Sequence, residues 1–270
     1  MLVHPRTSGD KAADKLYVDH VFLSQAIHRS MLRHLLFAAL LCTSAIAQAD
    51  GEVVFVSTQG NTMPLAAFED EQIKDGIVRD LGIAIARRLG RTARFVTVSR
   101  NRMVSSLVEG QADGVCYALP AWLGNAELRW SRPLIPNRDL VVGRMDAPTI
   151  ASTAELADES VGTVLGYRYP ELESVLGNRF RRDDAPDMPS NLRKLAAGRL
   201  RYAIVDQLTL QYEMRAALSH FKPGSSLTIA SFGAACAFSL KGRVSADELQ
   251  RSADALLLDG TMDAILARYR

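Results

Sequence analysis

The sequence predicts an α/β protein in which mostly parallel sheets are flanked by helices. The stretches LVEGQADGVCYAL at 107–119 and LAAGRLRYAIVDQ at 195–207 share one plan. Each begins with a leucine-bearing helical turn, reaches Gly110 or Gly198, and continues into an apolar run that favours a strand. Because glycine commonly ends a helix, each stretch predicts a helix followed by a strand. Helix and strand patterns alternate elsewhere too, as parallel sheets require.

The first half of this pattern begins with EVVFVST, an apolar run that predicts a buried strand. GIVRDLGIAIARRLG follows as an amphipathic helix, because Ile77, Leu81, Ile85 and Leu89 are spaced four apart on one face and Gly90 ends it. ARFVTVS then predicts a strand, NRMVSSLVEG a helix and DGVCYAL a third strand. The unit therefore alternates in the way that builds a parallel sheet.

The second half repeats this alternation after a strand at LVVGR. Ser152 and Glu155 have the spacing of a capping box, and Pro170 fits the first turn of the helix PELESVLG. We expect further strands at SVGTVLG, RYAIVD and SLTIASFGAACAFSL, and helices at MPSNLRKLAAG, QLTLQYEMRAALSHF and MDAILARYR. Ser245 and Glu248 predict a second capping box, before the helix ADELQRSADALLLDG.

The N-terminal 49 residues do not fit this fold. From Met31 the chain has a short basic start, the apolar run 35–42 and small residues that end at Ala49, which predicts a signal peptide over 31–49. A buried N-terminal helix is the alternative interpretation. Residues 1–30 have no sustained periodicity. We expect them to be a non-native extension, with translation starting at Met31, and the protein to be exported to the periplasm.

The chain beyond the predicted signal peptide has no excess of charge. The whole sequence has 32 basic and 30 acidic residues, of which five and three lie in 1–49, so 27 of each remain. Binding to nucleic acid or to an anionic membrane surface depends on a concentrated positive field. We therefore expect no nucleic-acid partner.

Two cysteines and one histidine remain after residue 49. In an oxidising compartment, Cys116 and Cys236 would by default form a disulfide, and two small buried apolar residues on strands are the alternative. Because His220 is the remaining histidine, a histidine-rich metal site or histidine-based catalysis is not expected. We expect no cofactor and no metal.

The order of six phrases resembles the bacterial extracellular solute-binding proteins of family 3, the amino-acid-type periplasmic receptors. The phrases are DGIVRDLGIAIARRLG, LVEGQADGV, WSRPLI followed by LVVG, ELADESVGTVLGY, LAAGRLRYAIVD and LLLDGTMDAILARY. The resemblance implies a two-lobed, type II-like periplasmic-binding-protein fold with two crossover strands. Lobe one would comprise 50–137 and 232–270, and lobe two would comprise 138–231. Such a protein closes as a monomer around one small solute and presents it to the membrane permease of an ABC importer.

The resemblance also implies where the solute lies. The family's acidic residue that accepts a ligand ammonium group matches Asp206, which also fits as the N-cap of the following helix. The family holds the ligand carboxylate with an arginine, but Gly124 and Asn125 occupy that place here. Arg168, close to the helix that begins at Pro170, is the candidate to replace it, with a solvated surface arginine as the alternative.

Aromatic and basic side chains complete the predicted ligand-binding set. Tyr117 and Trp122 could stack on a ligand in lobe one, and Tyr167 lies beside Arg168 in lobe two. Arg102 and Arg100 lie at a helix start, which we expect at the rim of the cleft, and Arg102 is a candidate ligand contact. The alternative is that at least one of these two arginines is a solvated surface charge. Trp130 we expect to lie in the core.

Three functions follow from this pattern. The first is a non-enzymatic receptor for a small polar solute, amino-acid-like or an organic anion. The second is a dehydratase-like enzyme on the same scaffold, which would need a cleft carboxylate with a shifted pKa. The third is an orphan sensory or accessory binding protein. Asp206 is the one cleft carboxylate that the sequence indicates.

Overall fold

Eleven strands and eight α-helices alternate along the residues that the structure describes. This computed structural model describes residues 51–58, 60–124, 126–216 and 222–270. These ranges fall within one compact unit, Ala49–Arg270. The predicted N-terminal extension (1–30) and signal peptide (31–49) lie outside the described residues. Within the described ranges, every helix is too short or too polar to cross a membrane.

The first half of the fold contains six strands and three helices. Three strands, the long helix and the helix that ends before Gly110 lie where the sequence predicts them, whereas the hairpin of the second and third strands and the short sixth strand were not predicted. In order, the elements are β1 (Glu52–Thr58), β2 (Ala67–Glu69), β3 (Gln72–Asp75), α1 (Ile77–Arg88), β4 (Thr92–Val98), α2 (Arg100–Val108), β5 (Gly114–Ala118), α3 (Pro120–Leu123) and β6 (Leu128–Trp130).

The second half contains five strands, five α-helices and two short 3₁₀ turns. The elements are β7 (Ile135–Arg144), the 3₁₀ turn Thr153–Leu156, β8 (Ser160–Val164), α4 (Pro170–Leu176), the 3₁₀ turn Gly177–Arg179, β9 (Arg181–Ala185), α5 (Met188–Ala196), β10 (Tyr202–Asp206), α6 (Gln207–Ala216), β11 (Pro223–Ser239), α7 (Ala246–Leu258) and α8 (Thr261–Tyr269). The strand β9 was not predicted.

Two antiparallel strands, β7 and β11, join two groups of strands. In the first group β4, β1 and β5 are parallel, and the C-terminal part of β11 pairs with β5 and β6. In the second group β9, β8 and β10 are parallel, and β7 pairs with β10. Between Pro223 and Ala234, β11 pairs with β7. The hydrogen-bonded path from one group to the other therefore runs through these two crossover strands.

Each group of strands has its own hydrophobic core on both faces. In the first group one core contains Phe55, Ile77 and Leu81, and the opposite face packs around Val54 and Leu107. In the second group the corresponding cores are built around Leu192 and Leu195 on one face and around Leu156 and Leu172 on the other. Each parallel group of strands is thus covered by helices on both faces and has its own cores, and we refer to the two groups with their helices as lobe one and lobe two.

The predicted helix–glycine–strand phrases are confirmed in both lobes. The helices α2 and α5 end just before Gly110 and Gly198, whose φ angles are 74° and 72°. A side chain at Gly110 would place its Cβ 2.3 Å from the main-chain oxygen of Lys241. Glycine is therefore required at position 110 both by its backbone conformation and by the space around it.

One of the two predicted capping boxes is wrong. Ser152 and Glu155 exchange both hydrogen bonds of the motif at the 3₁₀ turn. Ser245 precedes α7, but its side chain makes no capping hydrogen bond. The correct spacing allows the motif without enforcing it, because the exposed Ser245 hydroxyl can hydrogen-bond to water instead. Pro170 occupies the first turn of α4, as predicted.

The predicted lobe limits coincide with one pair of residues. Asn137 on β7 and Phe232 on β11 are opposite each other in the antiparallel register. They are the positions at which the predicted lobe one (50–137 and 232–270) meets lobe two (138–231). The assignment of these residues as the exact limits stays a prediction.

Candidate functional site

Asn137 connects the two lobes at the point where they meet. Its Nδ2 donates to the Tyr117 hydroxyl over 2.7 Å and to Asp206 Oδ1 over 2.9 Å. Its Oδ1 accepts from the main-chain N–H groups of Arg138 and Leu208. Because Tyr117 belongs to β5 and Asp206 to β10, one buried amide links a lobe-one strand to a lobe-two strand.

Asp206 caps the helix that follows it. Its Oδ1 accepts from the Thr209 N–H and its Oδ2 from the Thr209 hydroxyl, both over 2.8 Å. Burial raises the pKa of this carboxyl group, and the hydrogen bonds from Asn137 and Thr209 partly oppose that effect. Asp206 therefore has the geometry of an N-cap at the end of a strand. Its predicted contact with a ligand ammonium group stays a prediction.

Asp139 is a second carboxylate beside Asp206. The two residues are opposite each other in the β7–β10 pair. Side chains alternate along a strand, so Asp139 shares a face of β7 with Asn137. Within the described part of the chain, its carboxylate has no hydrogen-bond or ion-pair partner. Asp139 thus has no counterion among the described residues.

The surroundings of Asp139 disfavour its ionised form. Burial is the largest cause, followed by the negative charges of Asp206 and Glu171, and together they raise its pKa to about 7. A carboxyl group in this state can bind a cation, which would restore its ordinary acidity, or can exchange a proton near neutral pH. Carboxyl groups with a shifted pKa are frequent at functional sites.

An aromatic wall, formed by Tyr117, Trp122 and Phe232, adjoins these carboxylates. The ring centroid of Trp122 lies 5.9 Å from that of Tyr117 and 5.6 Å from that of Phe232. Trp122 is 49% exposed, so its face is available for stacking. Tyr117 has a positive φ of 63°, which is unfavourable for a side chain of this size. Strained backbone of this kind concentrates at functional sites.

Burial and the nearby Asp206 carboxylate raise the pKa of Tyr117 well above its ordinary value. Its hydroxyl therefore remains protonated and can donate a hydrogen bond while it accepts one from Asn137. We refer to Tyr117, Asn137, Asp139 and Asp206, together with Trp122 and Phe232, as the junction site.

A cation–π contact crosses from one lobe to the other at the rim of the junction site. The Arg100 guanidinium, at the start of α2, lies 4.5 Å from the ring centroid of Tyr167, which follows β8. Tyr167 comes directly after Gly166, whose φ of 77° turns the chain. Arg102 is exposed, and its side chain has no partner among the described residues. Its predicted ligand contact stays a prediction.

Arg168 is engaged in a local ion pair. Its guanidinium donates to both carboxylate oxygens of Glu173 on α4, the shortest distance being 2.7 Å, and its side chain is 80% exposed. Glu173 correspondingly has a lowered pKa, of which the hydrogen bond from Arg168 is the largest cause. The proposal that Arg168 replaces the missing carboxylate clamp stays a prediction, and binding an anion would compete with this ion pair.

The two positions of the missing clamp contribute no side chain that the structure describes. A Cβ at Gly124 would meet no atom within 4 Å, and Asn125 lies outside the described residues. Asp113, which precedes β5, is buried and accepts from the main-chain N–H groups of Val54 and Val244. Its role is to join β1 to the segment before α7.

Cys116 and Cys236 form a disulfide behind the aromatic wall. Both residues are buried, and they are opposite each other in the β5–β11 pair. Because Cys116 directly precedes Tyr117, the bond fixes the strand from which that side chain extends. Among the described residues, no cluster of His, Cys, Asp and Glu could hold a metal ion. Trp130 packs against the lobe-one core.

Sequence reasoning did not identify Asp139, Asn137 or Phe232. Asp139 offered a weak signal, since a charged residue that directly precedes the apolar run LVVG must lie at the edge of a core or in a site. Asn137 and Phe232 offered none, because their role depends on the register of β7 against β11. That register joins residues almost a hundred positions apart.

Comparison with solved structures finds the same fold in several binding proteins. An ancestral arginine-binding protein bound to arginine matches at a TM-score of 0.65 and 18% identity, over 82% of this chain and 99% of the other. A putative ABC-transporter binding component from Wolinella succinogenes, complexed with lysine, matches at 0.67 and 15% identity, over 82% and 96%. An ancestral amino-acid-binding protein, a precursor of cyclohexadienyl dehydratase, matches at 0.64 and 17% identity, over 81% and 95%.

These similarities establish the fold. The chain has the two-lobed α/β architecture of these solute-binding proteins, with mostly parallel sheets and two crossover strands, as the sequence predicts. No protein-family model and no curated protein matches the chain.

Proposed function

We propose that the protein is a non-enzymatic periplasmic receptor, which captures a small amino-acid-like solute between its lobes and delivers it to an ABC importer. The two-lobed fold supports this function, because rotation about two crossover strands can enclose a solute that contacts both lobes. The solved neighbours that bind arginine and lysine are of the same architecture. On this proposal the protein is a monomer that meets a membrane permease when closed.

The charge of the junction site favours a solute with an ammonium or guanidinium group. Asp139 is the observation on which this assignment depends, since its carboxylate is largely enclosed and has no cationic partner among the described residues. A cation between Asp139 and Asp206 would offset the repulsion between them. The aromatic wall supplies π faces for the same cation and for the apolar part of the solute.

An organic anion is the less supported solute. The arginine predicted to hold it, Arg168, is paired with Glu173, and the clamp position of the family is occupied by Gly124 and Asn125. A carboxylate on the solute would have Arg100 and main-chain N–H groups as its available partners. We therefore propose a solute that has at least one positive group, such as a basic amino acid or a polyamine.

A melting-temperature screen tests this proposal. The purified protein is heated with lysine, arginine, glutamine, putrescine or succinate. A solute at about 100 times its Kd stabilises a protein by about 2.7 kcal/mol, which gives a measurable rise in melting temperature. We expect a rise with at least one cationic compound. Absence of a rise with every cationic compound would contradict the proposed charge of the site.

Two variants locate the bound solute. Asp139→Asn removes the unpaired charge with little change in volume and should abolish the rise. Asp263→Asn changes an exposed carboxylate on α8, outside the junction site, and should retain it. An equal rise in both variants would show that the solute binds elsewhere.

A dehydratase-like enzyme is the second candidate, and one observation favours it. With a pKa near 7, Asp139 could donate a proton to a leaving hydroxyl group at neutral pH. One solved neighbour is a binding protein from which a dehydratase descends. Incubating each stabilising compound with the protein, and looking for loss of water by mass spectrometry, distinguishes the two functions. Turnover that Asp139→Asn abolishes would establish the enzyme.

A further inference from the structure

A cavity lies beside the crossover strands β7 and β11. Its volume is about 690 Å³, within the range of small-molecule sites. Residues of β7, β11 and α6 line it, together with Arg270 after α8. It adjoins the junction site through Asn137 and Phe232, but contains none of the carboxylates of that site.

The alternation of side chains places Arg138 on a different face of β7 from Asn137. Arg138 and Ser231 are opposite each other in the β7–β11 pair, one position from the pair Asn137 and Phe232. Successive side chains of a strand point to opposite faces. The Asn137 side chain contacts Tyr117 and Asp206, so Arg138 extends from the other face. The Arg138 side chain therefore extends from the face of β7 opposite to that of Asn137, although both residues line the cavity.

The cavity has an excess of positive charge. Arg138 and Arg270 contribute two guanidinium groups, and no Asp or Glu is among its described lining residues. Neither guanidinium has a hydrogen-bond or ion-pair partner within the described ranges, whereas many arginines of this chain are paired with carboxylates. A free carboxyl group on Arg270 would offset one of these charges and leave the other.

The remaining polar groups suit an anion that also has neutral hydrogen-bonding groups. The side chains of Gln207 and Gln211, on the first two turns of α6, line the cavity and can both donate and accept. Pro136 adds an apolar surface. A planar guanidinium binds a carboxylate or a phosphate through two parallel hydrogen bonds.

From these contacts we propose that the Arg138–Arg270 cavity is a binding site for a small organic anion that has a carboxylate or phosphate group. The two arginines that would hold the anion are different residues from those proposed to hold the solute in the junction site. Because β7 and β11 line both, an anion in the cavity contacts the strands about which the lobes rotate. We expect it to change the affinity of the junction site, and this coupling rests on the proposed function.

Calorimetric titration at low ionic strength tests the anion site. The purified protein is titrated separately with inorganic phosphate and with succinate, which distinguish the phosphate and carboxylate classes. We expect saturable binding of one of them with one site per chain. Arg138→Gln and Arg270→Gln should each weaken it about tenfold, because each removes a charge-assisted pair of hydrogen bonds.

Arg251→Gln is the matched control, since Arg251 is exposed on α7 and lies outside the cavity. This variant should bind the anion as the unmodified protein does. Absence of saturable binding, or equal binding by all three variants, would overturn the anion site. Asp139→Asn should leave the anion isotherm unchanged, so failure of the anion site and failure of the proposed receptor are distinguishable.

A second titration tests the coupling. The Kd of a cationic solute found in the melting screen is measured with and without the saturating anion. Different values are expected, and by reciprocity the solute should change the anion Kd by the same factor. Equal values would overturn the coupling.

Discussion

The Arg100 guanidinium lies 4.5 Å from the centre of the Tyr167 ring and joins the two lobes across the rim of the junction site. Arg100 begins α2 in the first lobe, and Tyr167 follows β8 in the second. Gly60 also lies near this guanidinium. A Cβ placed at Gly60 would be 3.5 Å from Nη2 of Arg100. A contact of this kind exists only when the lobes are close, so it can contribute to closure over a solute.

Arg100→Ala should therefore weaken solute binding. A cation–π contact contributes about 0.5 to 2 kcal/mol, so the Kd should rise about two- to thirtyfold, mainly through faster dissociation. Stopped-flow fluorescence of Trp122 and Trp130 would follow the release. The Tyr167→Phe variant keeps the aromatic ring, so the solute should dissociate from it as slowly as from the unmodified protein. Arg243→Ala removes an exposed positive charge before α7 and serves as the charge control. Equal dissociation rates for the Arg100 and Arg243 variants would exclude the closing role.

Asp139 should make stability depend on pH. Its pKa is raised from 3.8 to about 7 in the folded chain, so the folded state holds a proton that the unfolded state has lost between these values. Below about pH 4 the ionisation of Asp139 does not affect the free energy of unfolding. As the pH rises towards 7 this free energy falls, and above pH 7 it is lower by at most about 4 kcal/mol. The negative charges of Asp206 and Glu171 face Asp139 and contribute to its raised pKa.

Urea unfolding at pH 5 and pH 8 measures this effect. Asp139→Asn should have a higher free energy of unfolding than the unmodified protein. This difference should be larger at pH 8 than at pH 5. Asp263→Asn should show no such difference. Parallel curves for the unmodified protein and Asp139→Asn would mean that Asp139 ionises at an ordinary pH in the fold.

Asn137→Ala should destabilise the protein. The substitution removes two donated and two accepted hydrogen bonds and leaves Asp206 with a lost partner in a buried position. Losses of this kind cost about 2 to 4 kcal/mol. Asn178→Ala, at an exposed position after α4, should change the free energy of unfolding by less than about 0.5 kcal/mol. Similar values for both variants would show that the lobes meet without this bridge.

Loss of the disulfide should also lower stability. The bond closes a loop of 120 residues between β5 and β11. The chain-entropy model gives about 4 to 5 kcal/mol for a loop of this length. The variant Cys116→Ala with Cys236→Ala should unfold at a correspondingly lower urea concentration. Two free thiols per chain, titrated in protein purified without reductant, would contradict the bond itself.

Most of the fold could be predicted from the sequence. Ile77, Leu81 and Ile85 are fully buried, as their spacing predicts, and the glycines at 110 and 198 end helices in the left-handed conformation. These features depend on neighbours within a few residues, which a sequence displays directly. The hairpin β2–β3 was missed because its short strands, AFE and QIKD, have no apolar alternation.

The site was less predictable, because its chemistry depends on pairings between distant segments. Asp206 was recognised from the family phrase, whereas Asp139 acquires its raised pKa from the strand opposite it and from Glu171 on α4. Arg168 illustrates the converse case. Its charge suggested a ligand contact, but the side chain of Glu173, one turn into α4, pairs with it.

A crystal structure of the complex with the cationic compound that raises the melting temperature most would test the central claim directly. We predict that its positive group lies within hydrogen-bonding distance of an Asp139 carboxylate oxygen and against the aromatic wall, with Arg100 on the Tyr167 ring. A solute bound elsewhere, or an Asp139 carboxylate that contacts only water in the closed complex, would contradict the account.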